Sequence, residues 1–232
     1  MTNTTRIGSV LLGAALLWLG SASTVLGEAA PGPGERLRPA LHDPSLDRAG
    51  LARACLVAAA EAEALLGLPA GLLAAIAVVE SAAHAFAVGT PARSHYAANR
   101  VQAVRLARAS GPRAAGGCFQ INLPVHAGRD PAWVFDPWAS ALFAGRLVAH
   151  HAAAAGGDWG LAVARYAGAG PGSEAAQRQR CRVAAGLAGL GQALPRGLSA
   201  SGCNSADHRV WRAKAALLAA RARGPEAVAS LR

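Results

Sequence analysis

Residues 67–81 read GLPAGLLAAIAVVES, and as a helix they are well delimited. Gly67 stops whatever precedes it, and Pro69 suits a first-turn position, where a missing N–H costs nothing. Leu72, Leu73, Ile76, Val79 and Glu80 then follow at helical spacing along one stripe. The only acid of the segment therefore falls on the face expected to be buried. Ionising a carboxylate there is expensive, so its pKa rises and it stays protonated near neutral pH. A general acid needs that state to hand a proton to a leaving oxygen. The plainer alternative is a Glu at a helix end, turned to water or paired with an Arg.

Around this segment the chain punctuates itself into further helices. Residues 28–45 carry Pro, Gly and charge without periodicity and read as a linker. Asp43 or Ser45 is placed to cap a helix over 46–66 that Gly67 ends, so it and the Glu80 helix form a hairpin. Residues 84–94 read as an irregular loop or a short β-hairpin. Residues 97–109 are amphipathic, with Val101, Val104 and Leu106 or Ala107 expected inward and Arg100, Arg105 and Arg108 outward. GGCFQIN (116–122) reads as a brief extended segment. Asp136-Pro137 opens a helix to about 155, Asp158 caps one over 161–166, and further helices are expected over 174–188 and 206–222, the last one basic. Strands are scarce, and Ala, Leu and Arg, all strong helix formers, are abundant. The expected fold is mainly α.

Residues 1–27 have the layout of a secretory signal. Arg6 supplies the positive end, residues 7–19 the apolar core, and cleavage would follow Ser23 or Gly27. An uncleaved anchor over 7–26 is the alternative. With cleavage the protein has no stable membrane insertion and is periplasmic or extracellular. Export makes Cys55, Cys118, Cys181 and Cys203 candidates for two disulfides, with three connectivities open. Cys55 with Cys118 and Cys181 with Cys203 is the expected pairing; the second would close a Gly- and Pro-punctuated loop. The cysteines form no CxxC and no cluster with His, which argues against zinc. A net charge of +10 and a pI near 11.1 call for an acidic partner. For an exported chain, anionic wall polymers fit that requirement better than nucleic acid.

Four blocks then stand in a particular order: Glu80-Ser81 at the end of an apolar helix, GGCFQIN (116–122), FDP (135–137) and GDWGLAVARYAGAGPG (157–172). Together they resemble the catalytic domain of soluble-lytic-transglycosylase-type enzymes, members of the lysozyme-like superfamily that cleave peptidoglycan glycan strands. The resemblance covers about residues 50–190. It implies a lysozyme-like α+β fold, a helical bundle around the catalytic-Glu helix with a short β or irregular segment. The domain would run over 46–190, with 191–232 a C-terminal extension bearing the basic helix. The long insert before GCFQIN is similar to a proteobacterial branch.

The resemblance makes Glu80 the catalytic acid/base and Ser81 a neighbour that orients substrate or carboxylate. Gln120 and Asn122 would line the sugar cleft, and Tyr166 would sit near Glu80. Amide side chains suit the task because they donate to and accept from sugar hydroxyls and N-acetyl groups. The chain departs from the family at Ser140, where Asn is usual, at Leu147, often an aromatic, and at Ala167, where a Tyr-Asn pair has become Tyr-Ala.

Most glycosidases flank the bond with two carboxylates. Between Ser81 and Arg129 there is neither Asp nor Glu, and Asp136 and Asp158 read as caps, leaving Asp130 as the remaining acid of that region. One carboxylate suits a lytic transglycosylase, in which the substrate's own N-acetyl and 6-hydroxyl groups replace the second acid and water. No metal or cofactor is required. Peptidoglycan strands are the expected partner, and a wall-spanning secretion, conjugation or flagellar assembly is a further candidate; nucleic acid is not expected. A muramidase, an inactive wall-binding module and a basic nucleic-acid binder are the competing readings. Adjacent His150 and His151 do not converge on a helix and read as solvated or capping. His84, His95 and His126 are too scattered to be ligands, though His126 lies near enough to GCFQIN to touch sugar. Trp133, Trp138 and Trp159 read as core.

Overall fold

The computed structural model describes residues 47–223; the signal, the linker and the caps expected at Asp43 and Ser45 lie outside them. Seven α-helices follow in order among these residues: α1 (Arg48–Leu66), α2 (Leu72–Ser81), α3 (Arg100–Ala109), α4 (Pro137–Ala153), α5 (Trp159–Tyr166), α6 (Glu174–Gly189) and α7 (Ser205–Arg223). Four short strands, β1 (Ala87–Gly89), β2 (Ser94–Tyr96), β3 (Ala115–Gly116) and β4 (Ile121–Asn122), make one antiparallel sheet in the order β2-β1-β3-β4. Their register pairs Val88 with His95 and with Gly116, and Gly116 with Ile121. A mainly helical chain with a small sheet is thus observed. No helix among the described residues is long and apolar enough to cross a membrane.

Helix α2 is the axis of the bundle. Every residue from 72 to 78 is buried, because α1, α4, α6 and α7 all pack on it. A helix apolar all round belongs inside a core, so the expected single buried stripe is corrected. Glu80 is not one flank of that stripe but lies partly buried at the helix end, where the apolar run stops. Pro69 is corrected too: it lies in the connecting turn and its carbonyl accepts from Leu72 N–H at 3.1 Å, while the helix begins after Gly71, whose φ of 77° favours glycine.

Gly71 has no side chain to cap α2, and α1 supplies one. The buried Glu63 carboxylate accepts from Gly71 N–H at 2.7 Å through Oε2 and from Leu73 and Ala74 N–H at 2.7 and 3.1 Å through Oε1. Three orphan donors of the helix start are thereby satisfied from a neighbouring helix. Burial nonetheless pushes the pKa of Glu63 up, against those hydrogen bonds.

The other helix starts follow ordinary capping chemistry. Asp47 caps α1, Asn99 caps α3, and Ser173 caps α6. Asp136 accepts from Trp138 and Ala139 N–H, and Asp158 from Leu161 N–H, so both of these acids are spent as caps. On α3 Ala103 and the expected Ala107 are buried and the expected Val104 and Leu106 pack against the core, whereas the expected inward Val101 is 61% exposed. The GGCFQIN segment is a tight hairpin, with β3 and β4 flanking a turn at 117–120, rather than one extended stretch. Gly117, at φ 75°, has to be glycine, since a Cβ there would collide with the carbonyl oxygen of Val134.

Two disulfides fix the bundle, Cys55–Cys118 and Cys181–Cys203. The first ties α1 to the GGCFQIN turn, and the second ties α6 to the loop before α7. Helix α7 packs on α6 and α1 and contributes Ala215 and Leu218 to the same core as α2. The boundary expected at residue 190 therefore does not mark the end of the packed unit. Trp138 is core, with its indole N–H donating to Glu61 at 2.6 Å, while Trp133 and Trp159 pack on the core's edge.

Removing the Glu63 carboxylate should strand three buried donors. Glu63→Leu is expected to lower unfolding free energy by about 2–4 kcal/mol, and Glu63→Gln by less, because an amide oxygen still accepts. Urea denaturation followed by circular dichroism measures both.

Candidate active site

Helix α2 delivers Glu80 to the floor of a cleft of about 790 Å³. The sheet side contributes Gly89, Thr90, Ser94, Gln120 and Asn122, and the helical side Leu147, His151, Arg165 and Tyr166. Among the described residues, Glu80 is the only Asp or Glu in that lining. Asp130, the remaining candidate for a second carboxylate, is exposed and holds Ala132 N–H and Arg108 instead.

Burial pushes the pKa of Glu80 up to about 7 from 4.5, and the Gln179 hydrogen bond and the Arg182 charge pull it only partly back. Gln179 comes from α6, which packs on α2, and is itself buried. Its Nε2 donates to Glu80 Oε1 at 2.6 Å. A donor on Oε1 excludes the proton from that oxygen and leaves Oε2 to carry it. The amide thus chooses which carboxyl oxygen acts as acid, and its bond is stronger to the ionised form. A group poised near 7 can give and take a proton near neutral pH.

The helix end is shaped for this. Ala82 and Ala83 follow Ser81 with φ of 56° and 52°, a left-handed turn that alanine enters at a cost of about 1–2 kcal/mol each. Both are buried, and the turn is closed by Ala82 N–H on Val78 O and Ala83 N–H on Ala77 O. Ser81 points away from the cleft. Its Oγ donates to Cys118 O at 2.7 Å and accepts from His84 N–H at 3.0 Å. Its hydrogen bonds fasten the helix end to the GGCFQIN turn rather than touch Glu80.

Tyr166 lines the cleft, but its hydroxyl donates to Phe119 O at 2.7 Å. Burial, and then the nearby Glu80 charge, hold its pKa well above the ordinary phenol value, so it stays a donor. The side chain holding Glu80 is Gln179, not Tyr166. Gln120, at φ 48°, anchors its amide on Gly117 O at 3.1 Å, and Asn122 accepts from Val125 N–H at 3.2 Å. Both line the cleft.

His126 and His151 also line the cleft. His151 is only partly buried there, and burial, then His150 and Arg165, push its pKa down. His84 is buried, accepts from Phe86 N–H, and is lowered to about 4 by burial and Arg48. His95 accepts from Arg93 outside the cleft. Of the three departures, Ser140 is fully buried and bonds within its own helix, so it does not line the cleft, whereas Leu147 and Ala167 do.

Comparison with protein-family models, with curated proteins and with solved structures finds no match to this chain.

Two measurements check the electrostatics without an activity assay. An acid whose folded pKa is raised contributes stability that is full below its unfolded value near 4.5 and lost as pH rises through about 7. Glu80→Gln should therefore be more stable than wild type by about 1–3 kcal/mol at pH 8–9 and no more stable at pH 4. Gln179→Leu removes a donor that favours the ionised form, so the Glu80 carboxyl resonance in carbon NMR should titrate at higher pH. An unmoved midpoint would deny Gln179 that role.

Proposed function

We propose that this protein is an exported lytic transglycosylase, cutting the β-1,4 bond between N-acetylmuramic acid and N-acetylglucosamine in peptidoglycan. The observation that carries the reading is one carboxylate, raised to about 7, in the lining of an amide-bearing cleft to which the described residues contribute no second acid. Most inverting and retaining hydrolases use two carboxyl groups, one either side of the bond. Here the second role falls to the substrate. The four blocks that resemble soluble lytic transglycosylases supply the substrate class, and two disulfides accord with an oxidising, extracytoplasmic location.

In the first step the neutral Glu80 gives its proton to the glycosidic oxygen as the C1–O bond breaks, and the leaving sugar departs with a hydroxyl. The N-acetyl oxygen of the retained sugar stabilises the positive charge at C1. Gln179 stays on Oε1 and stabilises the carboxylate just formed. In the second step Glu80 takes the proton of the 6-hydroxyl while O6 bonds to C1, which closes a 1,6-anhydro ring and restores the acid. Water is neither consumed nor needed. Gln120 and Asn122 meet hydroxyl and N-acetyl groups along the strand.

Mass spectrometry of soluble fragments from purified sacculi tests this directly. Wild-type protein should release anhydro-ended fragments, and Glu80→Gln should lower their yield at least about a hundredfold. Fragments with reducing ends, heavier by one water, would make the enzyme a muramidase. Binding to sacculi with no release would make it a wall-binding module.

A further inference from the structure

The cleft carries charge that the proton transfers do not use. Arg113, in the turn before β3, enters it from the sheet side, and Arg165, on α5, from the helical side. Arg165 is braced by its own Nη1 donating to His151 O at 3.4 Å, whereas Arg113 lies in an exposed loop. Neither guanidinium has a carboxylate partner among the described residues, where the ion pairs are Arg108–Asp130, Arg178–Glu174 and Arg182–Asp207. The one acid in the lining, Glu80, is held by Gln179 and is neutral in the state that starts the reaction.

Elsewhere in the lining, which also holds His126, His151, Tyr166 and Gln179, the side chains of Thr90, Ser94, Gln120 and Asn122 are uncharged and suit hydroxyl and N-acetyl groups. Every β-1,4-linked N-acetylated glycan presents those groups, so these residues cannot tell a charged strand from a neutral one. The two guanidiniums can. Their planar fork matches a carboxylate, and a charge-assisted bond is about twice as strong as a neutral one.

We propose that Arg113 and Arg165 form a carboxylate-binding subsite that reads the acidic substituents of the glycan strand, so that the cleft prefers carboxylate-bearing strands over neutral polymers of chitin type. The proposal rests on the glycan reading above and adds the ligand chemistry by which the site selects. The carboxylates come either from peptides attached to the strand or from the lactyl groups exposed when those peptides are removed.

The test is calorimetric titration of Glu80→Gln protein, which holds strands without cutting them. Four ligands are compared: solubilised peptide-bearing strands, strands stripped by an amidase, the same strands with carboxylates converted to primary amides, and chitin oligomers. Amidation should weaken binding tenfold or more, and chitin oligomers should bind like the amidated strands. Adding Arg113→Gln and Arg165→Gln should bring the native-to-amidated affinity ratio close to one, as should raising the salt to 0.5 M on the order of a 4 Å screening length. Tight binding kept after stripping assigns the subsite to lactyl carboxylates, and loss on stripping assigns it to the peptide. Amidated strands that bind as tightly as native ones would overturn the proposal, and that comparison needs no arginine variant. A ratio that survives both substitutions, or Arg113→Gln alone should the pair fail to fold, would overturn it equally. Binding to none of the four ligands, with no fragments from wild type, would sink the glycan reading and the subsite with it; binding indifferent to charge sinks the subsite alone.

Discussion

Two successive carbonyl oxygens, those of Cys118 and Phe119, hold the cleft in shape. The first accepts from Ser81 Oγ and so receives the end of the Glu80 helix; the second accepts from the Tyr166 hydroxyl and so receives the end of α5. The residue between those contacts and α1 is Cys118 itself, bonded through sulfur to Cys55. One turn of chain therefore fixes three helices, two through its backbone and one through the Cys118 sulfur, and the adjacent Gln120 and Asn122 side chains stay on the cleft. Buried backbone acceptors need partners, and here the partners are the elements whose placement matters.

The same division of labour applies at both ends of α2. The helix is too apolar to supply its own polar chemistry, so its neighbours supply it. Glu63 of α1 satisfies the start, and Gln179 of α6 steadies the acid at the finish. Glu63 takes up donors that the chain turn leaves open, whereas Gln179 meets a group that would otherwise be held only by its environment. Close approach of α6 to α2 depends on Gly186, where a Cβ would stand 3.1 Å from Ala75 Cβ. Positioning of the acid is thus inherited from packing of small residues, which is why the core is so rich in alanine.

What the sequence made legible were features with local signatures. Gly67, Asp136-Pro137 and Asp158 mark helix ends by backbone chemistry that acts within four residues, and the structure places ends there. Glu80 stood out because no other acid lies in its apolar run. Partners that come from far along the chain were not legible. Gln179 sits in EAAQRQRCRV, where an amide among arginines looks solvated; Glu63 is near its partners in sequence, yet in AEAEALL it is indistinguishable from Glu61 until α2 is docked. The resemblance puts Ser81 to work beside Glu80, but successive helix residues point about 100° apart, and the hydroxyl turns into the core. The amphipathic pattern of residues 97–109 puts Val101 inward with Val104 and Ala107, whereas the face that packs runs through Ala103, Val104 and Ala107 and leaves Val101 exposed.

The contacts that build the cleft are long in sequence: Ser81 to Cys118 spans 37 residues, Tyr166 to Phe119 spans 47, and Gln179 to Glu80 spans 99. Closing such loops costs chain entropy before any contact repays it. Helices α1 and α2 adjoin each other and can pair early, but the acid gains its amide partner only when α6, near the far end of the chain, has docked. In any form of the chain in which α6 is undocked, the Glu80 carboxyl therefore lacks the one amide that tells its two oxygens apart.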